Sequence, residues 1–196
     1  MIPRYLAPIT WYRELAHSDL GVYDLESPVT KRDKYVRRAT ILDTRGEVTM
    51  TIPVEHAPTG TPLDRLVISG HGNWHRIHRL TIEAAYGRTP FFEHYYPLLS
   101  PLISENAVGR HLLDLILDLD ATIRHILGLT TPVTAKASPL LNNDNAGLST
   151  AHYQQLTNNY WRARPYPLPL PDNLSILDLL FNIGPDEALN YLLRDY

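Results

Sequence analysis

Cysteine is absent from the 196-residue chain, which excludes disulfides, thiolate metal sites and thiol nucleophiles together. Any metal would need His and carboxylate ligands, and any nucleophile would be oxygen or nitrogen. An excess of charge of one sign is missing as well. The net charge of −3 creates no broad positive field for phosphate backbones or anionic lipid, so a nucleic-acid partner is not expected. No stretch approaches the roughly 20 apolar residues of a membrane span, and Met1 to Pro8 lacks the apolar run of a signal peptide. No membrane span and a cytoplasmic location are the expectation. The chain also lacks a Walker loop, G-x-G-x-x-G, G-x-S-x-G and H-E-x-x-H, and the standard nucleotide, dinucleotide and esterase readings lose their support.

Proline, in contrast, is plentiful. The sixteen prolines exceed a background of about 5% and cluster near residues 53–62, 90–101 and 165–171, where they mark joints between elements. With 44% hydrophobic and 20% charged residues, the chain is long enough to bury one core, and a single domain over 1–196 is expected.

Periodicity supplies the elements. Arg4 to Pro8 reads as a first strand, Trp11 to His17 as a short helix and Leu20 to Asp24 as a second strand. Lys34 to Leu42 and Val48 to Val54 are β-branched runs around Gly46, which suits a tight hairpin turn. A fifth strand, Leu66 to Ser69, leads to Asn73 as an N-cap. In the helix that follows, Trp74, Ile77, His78, Ile82, Ala85 and Tyr86 recur at spacings of three and four and define a buried face. Phe91 to Leu99 is a short aromatic helix, and Arg110 to Leu127 carries an apolar stripe that Gly128 ends. Residues 129–172 have turn and polyproline composition with little periodicity. Ser175 to Ile183 and Pro185 to Leu193 are two helices joined at Gly184. The fold class is α/β or α+β: a mixed sheet of four to six strands in the N-terminal third and a helical C-terminal half.

The helix from Ser175 is apolar nearly all round and must be buried. Its polar residues Ser175, Asp178 and Asn182 stand at i, i+3 and i+7, one narrow stripe. A buried carboxylate costs several kcal/mol without partners, so Asp178 needs a cation, several donors or a wet cleft. Either the stripe is structural, with Ser175 as cap and Asn182 tying down a loop, or it faces a ligand. His78 lies on its helix's apolar stripe, where it is a core residue or a general base or acid. His71, His75 and His78 invite a zinc reading, but Gly70 and Gly72 put His71 outside the helix and the other pair differ by three. No metal and no cofactor are expected. In the basic run Thr30 to Arg38, strand geometry turns Arg37 and Arg38 to opposite faces, either into solvent or toward a carboxylate or phosphate. Asp114, Asp118 and Asp120 oppose a leucine stripe and read as surface, with Asp120 paired to Arg124. Tyr160, Trp161 and Tyr166 are candidates for a flat aromatic patch that would suit a partner protein.

Asn173-Leu-Ser-Ile-Leu-Asp-Leu-Leu-Phe-Asn-Ile-Gly-Pro185 closely resembles the C-terminal motif of WbqC-like proteins. Leu6-Ala-Pro-Ile with Trp11-Tyr12, the basic strand Lys31 to Arg38, Thr51-Ile-Pro-Val and Trp74 to Tyr86 with Pro90, Phe91 and Phe92 resemble further family segments in the same order. Pro165 to Pro171 departs from the family pattern. The resemblance implies a setting in O-antigen or surface-polysaccharide formation and transfer of glycine or another acyl group to a sugar amine. It implies His78 and Asp178 as catalytic residues, with Arg38, Tyr86, Ser175 and Asn182 as substrate contacts. The small-molecule partner would be a nucleotide-sugar or an activated acyl donor. Non-enzymatic binding of a nucleotide-sugar or a partner protein is the alternative. The transferase reading requires Asp178, His78 and Arg38 to converge on one cleft.

Overall fold

The computed structural model describes residues 1–25, 34–136, 160–167 and 170–194. The run 30–33 and the Asn142 to Gly147 stretch lie outside the described residues. In chain order the elements are α1 (Ile9–Ala16), β1 (Gly21–Tyr23), β2 (Arg38–Asp43), β3 (Gly46–Thr51), α2 (Trp74–Tyr86), α3 (Phe92–Leu99), α4 (Leu112–Leu127), β4 (Val133–Ala135) and α5 (Ile176–Leu193). The class is mixed α/β.

The strands form small pairs. β2 and β3 make the antiparallel hairpin that the β-branched runs predict, with Arg38 opposite Thr51 and Asp43 opposite Gly46. Gly46 turns the chain at φ +127, where a side chain would be strained. The Asp43 carboxylate accepts from the Arg45 and Gly46 amides at 2.6 and 3.1 Å, closing the turn. β1 and β4 pair in parallel, Gly21 beside Val133, so residues 133–135 hold a strand that the composition of 129–172 does not suggest.

Among the described residues the strands make two pairs and scattered bridges instead of one sheet of four to six strands. Arg4 to Pro8 is a turn with Leu6 at φ +42, fixed where Tyr5 donates to the Val36 carbonyl and Ile176 to that of Ala7. Leu66 to Ser69 contributes only single bridges, Val67 to His111 and Val54 to Ile68. Lys34–Arg37 is a 3-10 turn, and the strand begins at Arg38.

α5 lies at the centre. Residues 176–182 are buried on every side, against α1, α4 and β2, and each fully buried Leu, Ile or Phe contributes about 1.5–3 kcal/mol. Its two halves meet at Gly184 (φ 79, ψ 171), a conformation almost confined to glycine. A Cβ there would stand 2.6 Å from the Phe91 ring.

Two burial expectations are corrected. Ile77 is 56% exposed, because the face of α2 turned to the core is Trp74, His78, Ile82, Ala85 and Tyr86 and the hairpin leaves the Ile77 flank uncovered. Asp120 is 4% exposed: it accepts from Tyr12 at 3.1 Å, Tyr23 at 2.8 Å and Arg124 at 2.9 Å, which satisfies the carboxylate inside the fold.

Candidate functional site

The polar stripe of α5 is fully used. Ser175 caps the helix by accepting from the Leu177 amide at 3.3 Å and donates to the Leu6 carbonyl at 2.9 Å. Asn182 accepts from the Ala163 amide at 2.9 Å and donates to the Asp178 carbonyl at 2.7 Å. Asp178, 0% exposed, receives a two-pronged Arg162 guanidinium, Nε at 2.8 Å and Nη2 at 2.6 Å, and a short hydrogen bond from the Tyr160 hydroxyl. That geometry offsets the desolvation of both charges. Sequence reasoning did not find Tyr160 and Arg162 as its partners. No periodic signal marks their segment, and only the demand of Asp178 for a cation pointed to one.

The electrostatics follow from this cluster. Burial, and after it the Asp178 charge, raises the pKa of Tyr160 and of Tyr86 well above that of an ordinary tyrosine, so both stay protonated. Tyr86 is buried against the same carboxylate. Burial pulls the Arg162 pKa down, but Asp178 outweighs it and leaves it raised. Arg162 Nη1 is buried and keeps donors unused.

The cluster pins residues 160–167 against α2 and α5, with Arg164 Nη1 donating to the Ala84 carbonyl at 3.2 Å. A cleft of about 500 Å³ opens between this segment, the hairpin turn and α2. Arg45, Arg162, Arg164, Tyr86, Tyr166 and Asn182 line it. Arg45 pairs with Asp43 at 3.4 Å and Arg162 with Asp178. Arg164 has no carboxylate partner among the described residues. Tyr160 faces inward and Tyr166 lines the cleft, which leaves Trp161 as the exposed ring, at 59%; the three do not make a flat patch.

His78 is elsewhere. Its Nδ1 is 3.0 Å from the Tyr5 hydroxyl, and the Trp74 ring packs edge-on at 5.2 Å. Burial, chiefly, lowers its pKa to about 4, with the Thr51 backbone pulling the other way. Burial, in contrast, raises the pKa of Tyr5, so the phenol keeps its proton to donate to a neutral imidazole. His78 lines a second cavity, of about 350 Å³, with Val48, Met50, Thr51, Trp74 and Ile77. His78 and Tyr86 are eight residues apart on α2, about 12 Å along the axis, well beyond hydrogen-bond reach.

Arg38 lines a third, smaller cavity with Arg4 and Asn173, while Arg37 turns away to donate to the Ile52 carbonyl at 3.0 Å. The structure thus brings Tyr86, Asn182 and, through Arg162, Asp178 to one place, and sets His78, Arg38 and Ser175 apart from it. The convergence of Asp178, His78 and Arg38 on one cleft is not what the fold builds. Among the described residues no three of His, Asp and Glu gather as metal ligands, and no helix is long and apolar enough to cross a membrane.

Compared with known proteins, the chain matches the family model of the WbqC-like proteins over residues 3–165. That span ends before α5, so the C-terminal motif lies outside it. No curated protein and no solved structure gives a significant match.

Proposed function

Because the chain belongs to the WbqC-like protein family, we propose that it serves surface-polysaccharide or O-antigen formation by binding an anionic sugar of nucleotide-sugar type in the cleft beside Asp178. The observation that carries this reading is Arg164, a cation on the cleft wall without a carboxylate partner among the described residues. Beside it, the bidentate Arg162–Asp178 pair holds the wall rigid. The volume of about 500 Å³ falls within the usual 300–1,000 Å³ or so of small-molecule sites. Tyr166 on the cleft wall offers a ring for a sugar or base face, and the Arg164 guanidinium suits an acceptor-rich ligand.

Acyl or aminoacyl transfer to the amine of such a sugar is the second reading, favoured by the neutral His78 on its own cavity. There His78, once its Nδ1 gives up the hydrogen bond from Tyr5, would take the amine proton as nitrogen attacks the acyl carbon, and the leaving group would depart with the electrons of the broken acyl bond. A pKa of about 4 makes it a weak base at neutral pH, which is why binding ranks first. Thermal-shift screening against nucleotide-sugars and aminoacyl donors tests both. Stabilisation by a nucleotide-sugar without turnover supports binding, and turnover lost in His78→Gln with binding retained supports transfer. No response to any nucleotide-sugar would remove the first reading.

A further inference from the structure

The β2–β3 hairpin has one occupied edge and one open edge. The Ile52 amide donates to the Arg37 carbonyl at 3.0 Å. In the register that sets Arg38 opposite Thr51, the hydrogen-bonded pairs are therefore Ala39 with Met50, Ile41 with Val48 and Asp43 with Gly46. The residues between them turn their backbone groups outward. On β2 that side is taken, since the Thr40 carbonyl accepts from the Ser175 amide at 2.8 Å. On β3 the outward residues are Glu47, Thr49 and Thr51. β3 pairs with β2 alone, and no backbone bond reaches the outward groups of Glu47 and Thr49 among the described residues.

This open edge borders the cavity of about 350 Å³, which Val48, Thr49, Met50 and Thr51 all line. Successive side chains of a strand point to opposite faces, so four consecutive lining residues place the cavity along the edge of β3. Across it stand Trp74, Ile77 and Thr81 of α2. Trp74 is 3% exposed, and its indole N–H is buried without an acceptor among the described residues. Burial lowers the His78 pKa and the Thr51 backbone draws it back, as a carbonyl beside an imidazole N–H does. Thr51 is thus engaged, and the open pairing positions are Glu47 and Thr49, about 7 Å of edge. That is short for a partner strand of the usual five or six residues or so, and the volume suits a small molecule.

We propose that this groove holds the extended arm of an acyl donor of pantetheine type, a chain that carries two secondary amides. One amide pairs its N–H and C=O with the Thr49 carbonyl and amide, as an added strand would. The carbonyl of the other accepts from the Trp74 indole, and the methylenes lie on Ile77 and Thr81. The inference rests on the transfer reading for what the arm carries, whereas the pairing is tested by binding alone.

The test is a titration of the wild-type protein with pantetheine, with a capped dialanine peptide and with 1-hexanol, read from backbone-amide and indole resonances by nitrogen-15 NMR. Pantetheine should shift the Thr49 amide and the Trp74 indole saturably, and hexanol, which has no amide, should not. Thr49→Pro removes the outward N–H at a strand edge, where proline is tolerated, and should weaken binding about tenfold. Thr49→Ala keeps the amide and should bind as the wild type does. Trp74→Phe, which loses the indole donor and keeps a ring, gives a second measure if Thr49→Pro does not fold. The proposal is overturned if neither resonance moves, if hexanol moves them equally, or if the capped peptide binds there and pantetheine does not. Acyl transfer without a shift at Thr49 would overturn the groove and leave the transfer reading standing; a saturable shift without transfer would do the reverse.

Discussion

At the scale of single residues, Asp178 shows how the fold accommodates a buried charge. Two hydrogen bonds from Arg162 and one from Tyr160 surround a carboxylate with no solvent exposure. Removing it leaves a guanidinium 10% exposed without its counter-charge. Asp178→Ala should therefore cost about 3–5 kcal/mol in urea denaturation. The double variant with Arg162→Leu should cost less than the sum of the singles, because the stranded charge goes too. Additive losses would mean that the pair is not coupled.

His78 predicts a pH dependence. Its folded pKa of about 4 lies below the ordinary 6.5, so the unfolded chain binds the extra proton first. Its contribution is complete above about pH 6.5 and is lost as the pH falls through 4, on the order of 3 kcal/mol in all. Chemical denaturation from pH 7 to 4 should show this acid limb in the wild type and a flatter one in His78→Gln.

At the scale of elements, Gly184 divides α5. Its backbone conformation and the Phe91 ring 2.6 Å from an added Cβ predict that Gly184→Ala lowers stability by about 2 kcal/mol or more, as read by thermal melting. A change within a few tenths would mean that the two halves of α5 can join in one helix. How much of the structure the sequence discloses also depends on the element. The hairpin around Gly46, α2, α4 and the buried α5 are legible because their signals are local: a turn residue, a period of 3.6, an apolar circumference. The stripe of Ser175, Asp178 and Asn182 is legible as a problem of burial. Its solution is not, since Tyr160 and Arg162 sit 18 and 16 residues before Asp178 in a segment of turn composition. Asp120 misleads for the same reason. Its tyrosine partners lie 108 and 97 residues away, and a helical pattern shows only Arg124.

At the scale of the whole molecule, the cavities lined by Arg164, His78 and Arg38 are set along a shared frame among the described residues. The hairpin turn and residues 160–167 border the cleft, the outer part of β3 and the start of α2 enclose the His78 cavity, and the start of β2 with the N-terminal turn forms the Arg38 cavity. The resemblance gathered His78, Asp178 and Arg38 into one mechanism; the fold distributes them. What remains together is a cleft whose wall is pinned by Asp178 and on which Arg164 is a cation without a carboxylate partner among the described residues. Calorimetric titration of nucleotide-sugars into the wild type and Arg164→Ala tests this most directly. The account predicts saturable binding to the wild type that weakens with added salt and falls about tenfold in Arg164→Ala while the melting temperature holds. Equal affinity in both proteins, or no binding by a folded wild type, would contradict it.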